Sequence, residues 1–76
     1  MKELIEFLAR SLVDNPDAVQ VEEEPDGDRV VYHLYVADDD MGKVIGKQGR
    51  IANAMRDLLK VAAARNGART SLEIGH

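Results

Sequence analysis

The sequence predicts an α+β fold in which helices pack on one face of a three-stranded sheet, in the order α-β-β-α-α-β. Three observations predict it. Apolar and polar residues alternate over positions 18–37 around a strong turn signal, as in a β-hairpin. Apolar residues recur at helical spacing before this hairpin and again after residue 50. Two glycines three residues apart, Gly46 and Gly49, indicate a tight turn between two helices.

The first element is an amphipathic helix over residues 2–14. Its apolar face is formed by the side chains of Leu4, Ile5, Leu8 and Leu12. The segment Asn15-Pro16-Asp17 ends this helix, because proline disfavours the α conformation of the residue before it. The hairpin follows, with strands at Ala18–Glu24 and Arg29–Ala37 joined by a turn at Pro25-Asp26-Gly27-Asp28. Alternation places His33 beside Tyr35 on one strand face, where a surface or interface residue is expected and not a ligand or base.

The second half of the chain begins with three aspartates. Asp38–Asp40 are expected to cap a short helix, Met41–Ile45, and not to bind a metal, because consecutive carboxylates do not converge on one point. A long helix is predicted for Arg50–Asn66, ending at Asn66-Gly67, and a last strand for Thr70–Ile74. The inward stripe of the long helix is predicted to comprise Ile51, Met55, Leu58, Leu59 and Ala62.

Composition limits the class of protein. Seventy-six residues suit one domain, 1–76, and 45% apolar residues are enough for a small core. Cysteine is absent, which excludes disulfides and thiolate metal sites. No apolar run approaches the ~20 residues of a membrane span, and no signal-peptide pattern is present, so a cytoplasmic protein is expected. His76 is expected to be disordered.

Charge is distributed unevenly along the chain. Residues 1–40 hold three cations and twelve anions, a net charge of −9, whereas residues 41–76 hold seven cations and two anions, a net charge of +5. The whole chain carries −4, which by itself argues mildly against nucleic acid. The basic half starts where the glycine loop starts, and this favours a basic face that meets an anionic polymer.

Three phosphate-binding motifs can be compared with the glycine loop. A Walker loop needs four residues between its glycines and then Lys-Ser/Thr, but Gly42 and Gly46 are separated by three, and Gln48 replaces the hydroxyl residue. A dinucleotide fingerprint would need glycine where Val44 stands. A GXXG loop between helices fits Gly46–Gly49, and such a loop clamps a nucleotide backbone.

No catalytic set is found. Ser11 and Ser71 have no histidine or carboxylate at a spacing that indicates activation, so neither an enzyme nor a cofactor is predicted.

The segment Gly42-Lys43-Val44-Ile45-Gly46-Lys47-Gln48-Gly49-Arg50-Ile51 closely resembles the core motif of KH domains. The element order resembles the type II, prokaryotic arrangement. With Asp14-Asn15-Pro16-Asp17-Ala18-Val19 after the first helix, the chain resembles the small bacterial single-KH proteins of the KhpA family. That resemblance implies binding of single-stranded RNA, with single-stranded DNA left open as a ligand. It also implies a role in post-transcriptional regulation or RNA chaperoning, and pairing with a larger KH protein of the Jag (KhpB) type.

Carried over to this chain, the resemblance implies a clamp made of Gly46, Lys47, Gln48 and Gly49. Lys47 would contact a phosphate, Gln48 a phosphate or sugar, and Arg50 would assist from the helix start. Val44 and Ile45 would place the loop against the core and line part of the groove, with Lys43 at its edge.

A second surface is expected on the long helix. Ala54, Val61 and Ala64 fall away from its inward stripe and favour contact with a second helix, as a homodimer or with the KH partner. The acidic total charge also favours a second KH surface. The alternative is a protein-interaction adapter that binds little RNA.

Overall fold

The computed structural model describes residues 1–75; the expectation for His76 lies outside them. Within that range the elements follow the predicted order α-β-β-α-α-β, which is that of a type II KH domain. The helices are α1 Lys2–Leu12, α2 Met41–Ile45 and α3 Arg50–Ala64. The strands are β1 Gln20–Asp26, β2 Arg29–Tyr35 and β3 Arg69–Gly75. Short 3-10 turns at 16–18, 38–40 and 47–49 connect them.

The three strands form one mixed sheet in the order β1-β2-β3. β1 and β2 are antiparallel, as the hairpin predicts, and β2 and β3 are parallel, with Arg29 opposite Arg69. A parallel pair needs a long crossover, which α2, the glycine loop and α3 supply. The crossover carries the chain from the end of β2 back to the level at which β2 begins, so the glycine loop lies within it.

The hairpin turn is shorter than predicted. Pro25 and Asp26 were expected in the turn, but they pair with Val30 and Arg29, and only Gly27-Asp28 connect the strands. Gly27 has φ +64, the conformation that a two-residue hairpin with glycine first requires. Proline is tolerated in β1 because β1 is an edge strand and need not donate an N–H on its open side.

Both long helices end two residues before their predicted ends. After Leu12 the backbone of Val13 is extended (φ −96, ψ 162), and the following N–H groups turn towards Asp40. α3 ends at Ala64, after which Gly67 adopts φ +69 and the Ala68 N–H donates to the Ala63 carbonyl at 3.0 Å. The predicted glycine at the helix end is therefore in the left-handed conformation that such ends use.

The core lies between the sheet and the helices. It contains alternate β2 side chains, Ile5 and Ala9 of α1, and the inner face of α3; its buried apolar members are Ile5, Ala9, Val19, Val21, Tyr32, Leu34, Val36, Val44, Ala52, Met55, Leu59, Ala63 and Leu72. The prediction that Leu58 points inward is wrong, because its side chain is 51% exposed. Leu4 and Leu12, predicted on the apolar face of α1, are each 37% exposed. Small Ala52 and Ala63 are buried on the inner side of α3, together with Met55 and Leu59.

Candidate nucleic-acid interface

The glycine loop, residues Gly46–Gly49, reverses the chain between α2 and α3 with three residues of positive φ. Gly46 has φ 76 and ψ 174, Gln48 φ 58 and ψ 24, and Gly49 φ 76 and ψ 12. The Gly46 N–H donates to the Gly42 carbonyl at 2.9 Å, and the Gly49 N–H donates to the Gly46 carbonyl at 3.2 Å. Two of these conformations fall on glycines, as predicted. The third falls on Gln48, a residue type that rarely adopts it.

Gly46 is also required by space. A Cβ built there would lie 2.3 Å from Cγ1, 2.9 Å from Cβ and 3.0 Å from the backbone nitrogen of Ile51. Gly49 meets only the Asn53 side-chain amide, at 3.8 Å. The first glycine thus lets the loop fold onto the first turn of α3, and the second mainly supplies its backbone angles.

The predicted contact residues Lys47, Gln48 and Arg50 are exposed on this loop and at the start of α3. Among residues 1–75, no carboxylate pairs with Lys47 or Arg50, and no hydrogen bond engages the Gln48 side chain. No side chain caps the N-terminus of α3, where the first N–H groups of a helix lack partners within it. The loop therefore presents two uncompensated cations beside a helix end that favours anions.

Val44 and Ile45 anchor the loop. Val44 has no exposed surface and belongs to the core, while Ile45 is partly buried and packs against the core. Val44 therefore holds the loop from within, and only Ile45 has surface left to line a groove.

Lys43 has a different environment from Lys47. Its ammonium forms an ion pair with Asp14 and a second one, at 3.4 Å, with Asp40. The hydrogen bond to Asp14 raises the pKa of Lys43 above its ordinary value, against the effect of partial burial. Contact between Lys43 and a phosphate stays a prediction, and any such contact has two carboxylates as competitors.

Asp40 does not cap α2 as predicted. It occupies the N-cap position, but its side chain makes no capping hydrogen bond. Instead its fully buried carboxylate accepts the backbone N–H groups of Asp14 and Asn15 at 3.2 and 3.0 Å, and the Asn15 amide at 3.1 Å. Burial raises the pKa of this carboxyl, but the hydrogen bonds outweigh burial and hold the pKa below its ordinary value. Asp40 thus ties the end of α1 to the helix that carries the glycine loop.

A polar row on α3 was not predicted. Asn53, Arg56 and Lys60 follow Gly49 at intervals of three or four residues, so they share one side of the helix. The Arg56 guanidinium donates to the Leu72 carbonyl of β3 at 3.3 Å and to the Asn53 amide oxygen at 3.1 Å, which shows that this side faces β3. The same spacing in the sequence could have identified the row.

The sheet face opposite the core is acidic near β1. His33 lies there, Nε2 3.4 Å from the Glu24 carboxylate, and its ring stacks on Tyr35 with centroids 6.5 Å apart. Glu22 and Glu73 flank His33 in the strand register. The predicted neighbourhood of His33 and Tyr35 is confirmed, and anionic charge is concentrated on the sheet while the loop and α3 carry cations.

No helix in residues 1–75 has both the length and the hydropathy needed to cross a bilayer. The same residues contain no group of three or more histidine, aspartate or glutamate side chains placed to hold a metal ion.

Comparison with known proteins places this geometry in a family. The family model for the KhpA/KhpB KH domain matches residues 2–74. Proteins named RNA-binding protein KhpA from Clostridium acetobutylicum and Caldanaerobacter subterraneus are each 53% identical, over 97% of this chain and 99% of theirs. The protein of that name from Chlamydia pneumoniae is 45% identical, over 97% of this chain and 95% of its own.

Among solved structures, Era of Aquifex aeolicus bound to GDP and aluminium fluoride has a similar fold. The TM-score is 0.57 at 20% identity, over 96% of this chain and 28% of that one. The match to Era shows the fold alone. Given the family model along nearly the whole chain and relatives at about half identity, this chain belongs to the KhpA/KhpB family of KH domains.

Proposed function

We propose that this protein is a non-catalytic RNA-binding protein that holds single-stranded RNA at its glycine loop. The observation that carries the proposal is the loop itself, in which positive-φ glycines bring backbone to the surface beside the unpaired cations Lys47 and Arg50. Relatives that bear the name RNA-binding protein support it. The strand's phosphates would approach Gly46 and Gly49, and a clamp of this kind holds about four nucleotides.

The test replaces Lys47 and Gln48 together by Asp. We expect RNA affinity, measured by filter retention, to fall about tenfold or more, since a phosphate contact is lost and like charge is introduced. The matched control carries Lys2→Asp and Gln20→Asp, the same two changes on α1 and β1. Circular dichroism checks that both variants are folded. Equal RNA binding by the two folded variants would show that the loop is not the RNA site.

Salt dependence separates phosphate contacts from other contacts. Each phosphate neutralised on a single strand contributes about −0.7 to the slope of log affinity against log salt. Affinity that does not change with salt would contradict a phosphate clamp and favour the alternative, a protein-interaction adapter with little RNA binding. The same titration with DNA of identical sequence measures whether single-stranded DNA is an equal ligand.

We further propose that the protein acts in the cytoplasm as a homodimer, or as a heterodimer with a larger KH protein of the Jag (KhpB) type, in post-transcriptional regulation or RNA chaperoning. The support for pairing is the outer face of α3, where Leu58 is 51% and Val61 61% exposed, with Ala54 one turn before Leu58. Exposed apolar residues at that spacing fit a facing helix, and small Ala54 allows a close approach.

Sedimentation equilibrium tests the homodimer. We expect Val61→Glu to shift the protein towards monomer. The control Phe7→Glu changes an apolar residue of similar exposure on α1, 68% against 61%, and should leave the association constant unchanged. A natural protein that is monomeric at high concentration, and that also fails to pair with a KhpB-type domain, would contradict the proposal.

A further inference from the structure

A concavity in the described residues lies away from the glycine loop, where α3 ends and β3 begins. It is open to solvent, has a volume of about 340 Å³, and is lined by Arg29, Lys60, Ala63, Ala68, Arg69 and Thr70. Half of these residues are cationic. Two of the cations are neighbours by sheet register, since Arg29 pairs directly with Arg69 across the parallel strands. The third, Lys60, comes from the last turns of α3.

The cations of this pocket have little internal compensation. The Arg29 guanidinium donates to the Ser71 hydroxyl, a neutral partner, at 3.2 Å. Arg69 approaches the Asp28 carboxylate only at 4.0 Å, and both side chains are mostly exposed. Within residues 1–75, Lys60 has neither a hydrogen bond nor an ion pair. Asp26 also lies opposite Arg29 in the strand register, so three cations stand beside two carboxylates. The remaining positive charge around a concave surface suits an anion.

A polar path connects the pocket with the glycine loop. Gly49, Asn53, Arg56 and Lys60 occupy one side of α3, and the Arg56 hydrogen bond to Leu72 shows that this side runs along β3. Lys60 lies ten residues after Arg50, so a rise of 1.5 Å per residue puts it roughly 15 Å further along the helix axis. The pocket is therefore too far away to belong to the clamp itself, but it lies on the same side of the helix.

We propose that the pocket formed by Arg29, Lys60 and Arg69 is a second phosphate-binding site. Guanidinium groups present paired donors that match phosphate oxygens, and an ammonium adds a point charge. The phosphate comes either from the backbone of an RNA strand that extends beyond the clamp, a form that rests on the proposed function, or from a free phosphate or nucleotide. Titrations with RNA and with inorganic phosphate distinguish these sources.

The first arm uses RNA of two lengths. In the variant Lys60→Gln/Arg69→Gln we expect affinity for an RNA of about four nucleotides to be unchanged, because such an RNA is held by the clamp alone. Affinity for an RNA of roughly 16 nucleotides should fall about tenfold, with a salt slope smaller by about 0.7 per phosphate lost. The control Lys2→Gln/Arg10→Gln makes the same change of charge on α1 and should leave both affinities unchanged.

The second arm uses inorganic phosphate without RNA. Saturable shifts of the Ala68, Arg69 and Thr70 amide resonances, lost in the Lys60→Gln/Arg69→Gln variant, identify a site for free phosphate groups. A length-dependent loss of RNA affinity without such shifts identifies an RNA backbone site. If the pocket variant binds both RNAs like its control and phosphate shifts no amide, the pocket is not a phosphate site. If the glycine loop proves not to bind RNA, the phosphate titration still tests the pocket, because that titration contains no RNA.

Discussion

Gly46→Ala tests how the glycine loop is built. Two effects act at this position. The backbone angles φ 76 and ψ 174 lie in a region that essentially only glycine occupies, and forcing another residue into it costs about 1–3 kcal/mol. The added Cβ would also lie 2.3 Å from Ile51 Cγ1 and 3.0 Å from the Ile51 backbone nitrogen. Because backbone cannot swing aside, relief of this contact costs a further ~1–3 kcal/mol.

The sum of these two costs of Gly46→Ala is reduced by about 0.4–1 kcal/mol, because alanine has fewer conformations than glycine to lose from the unfolded chain. A net loss of about 3 kcal/mol is expected, against a total stability of ~4–11 kcal/mol for a chain of this size. With an m value of about 1 kcal/mol per molar urea, the unfolding midpoint should fall by about 3 M. The same disturbance displaces the loop, so any ligand of the loop should bind less well.

Two other glycines provide controls in the same urea titration. Gly42 lies within α2 with nothing within 4 Å of an added Cβ, so Gly42→Ala should stabilise by roughly 0.5–1 kcal/mol. Gly49 needs only a left-handed backbone, and Gly49→Ala should cost about 1–2 kcal/mol. In an Ile51→Ala background, Gly46→Ala should cost less, because Cγ1 is gone. The steric reasoning is wrong if Gly46→Ala and Gly49→Ala destabilise equally and if the cost of Gly46→Ala is the same with Ile51 as with Ala at position 51.

Three further predictions concern the same scaffold. Asp40→Asn should lower the urea midpoint of unfolding at pH 7. The pKa of Asp40 in the folded protein lies below the ordinary value of 3.8, so the stabilisation by its carboxylate is lost as pH falls through the folded pKa. The difference in midpoint between variant and parent should therefore shrink as the pH is lowered. Gln48→Gly should not reduce stability by more than about 0.5 kcal/mol, since it relieves a left-handed glutamine, but RNA binding should weaken in a retention assay if the amide contacts RNA. Leu59→Ala should cost about 2–5 kcal/mol of stability in thermal unfolding, and Leu58→Ala under about 1 kcal/mol. Equal losses would contradict the observation that Leu59 faces the core and Leu58 faces solvent.

Much of the fold could be predicted because its signals are local. The bounds of α2 were predicted correctly, since aspartates precede it and a glycine follows it. The predicted inner stripe of α3 wrongly included Leu58 and omitted Ala52 and Ala63, because hydrophobicity alone cannot show that the two alanines are buried while Leu58 is exposed. The local preference of Pro25 predicts a turn, but Pro25 pairs with Val30 in β1, where the open side of an edge strand accepts a residue without an N–H.

The less predictable parts of the site depend on contacts distant in sequence. Asp40 has the residue type and position of a helix cap, but its hydrogen-bond partners lie 25 and 26 residues earlier, at Asn15 and Asp14. The left-handed Gln48 could not be predicted either, because its own residue type opposes that conformation and only the closure of the loop between two helices imposes it.

These contacts explain why net charge is a poor guide to the electrostatics of the loop. Lys43 and Lys47 are four residues apart, but Lys43 is neutralised by Asp14 and Asp40, whereas Lys47 has no carboxylate partner in the described chain. Asp14 and Asp40 of the acidic half therefore hold the helix before the loop, and they neutralise one cation of the basic half, Lys43. The sequence total of −4 adds both contributions together, although the buried Asp40 faces Lys43 and not the loop surface. Under the proposed function, an anionic strand at the glycine loop would meet Lys47 and Arg50, and their local field would affect its affinity more than the net charge of the chain does.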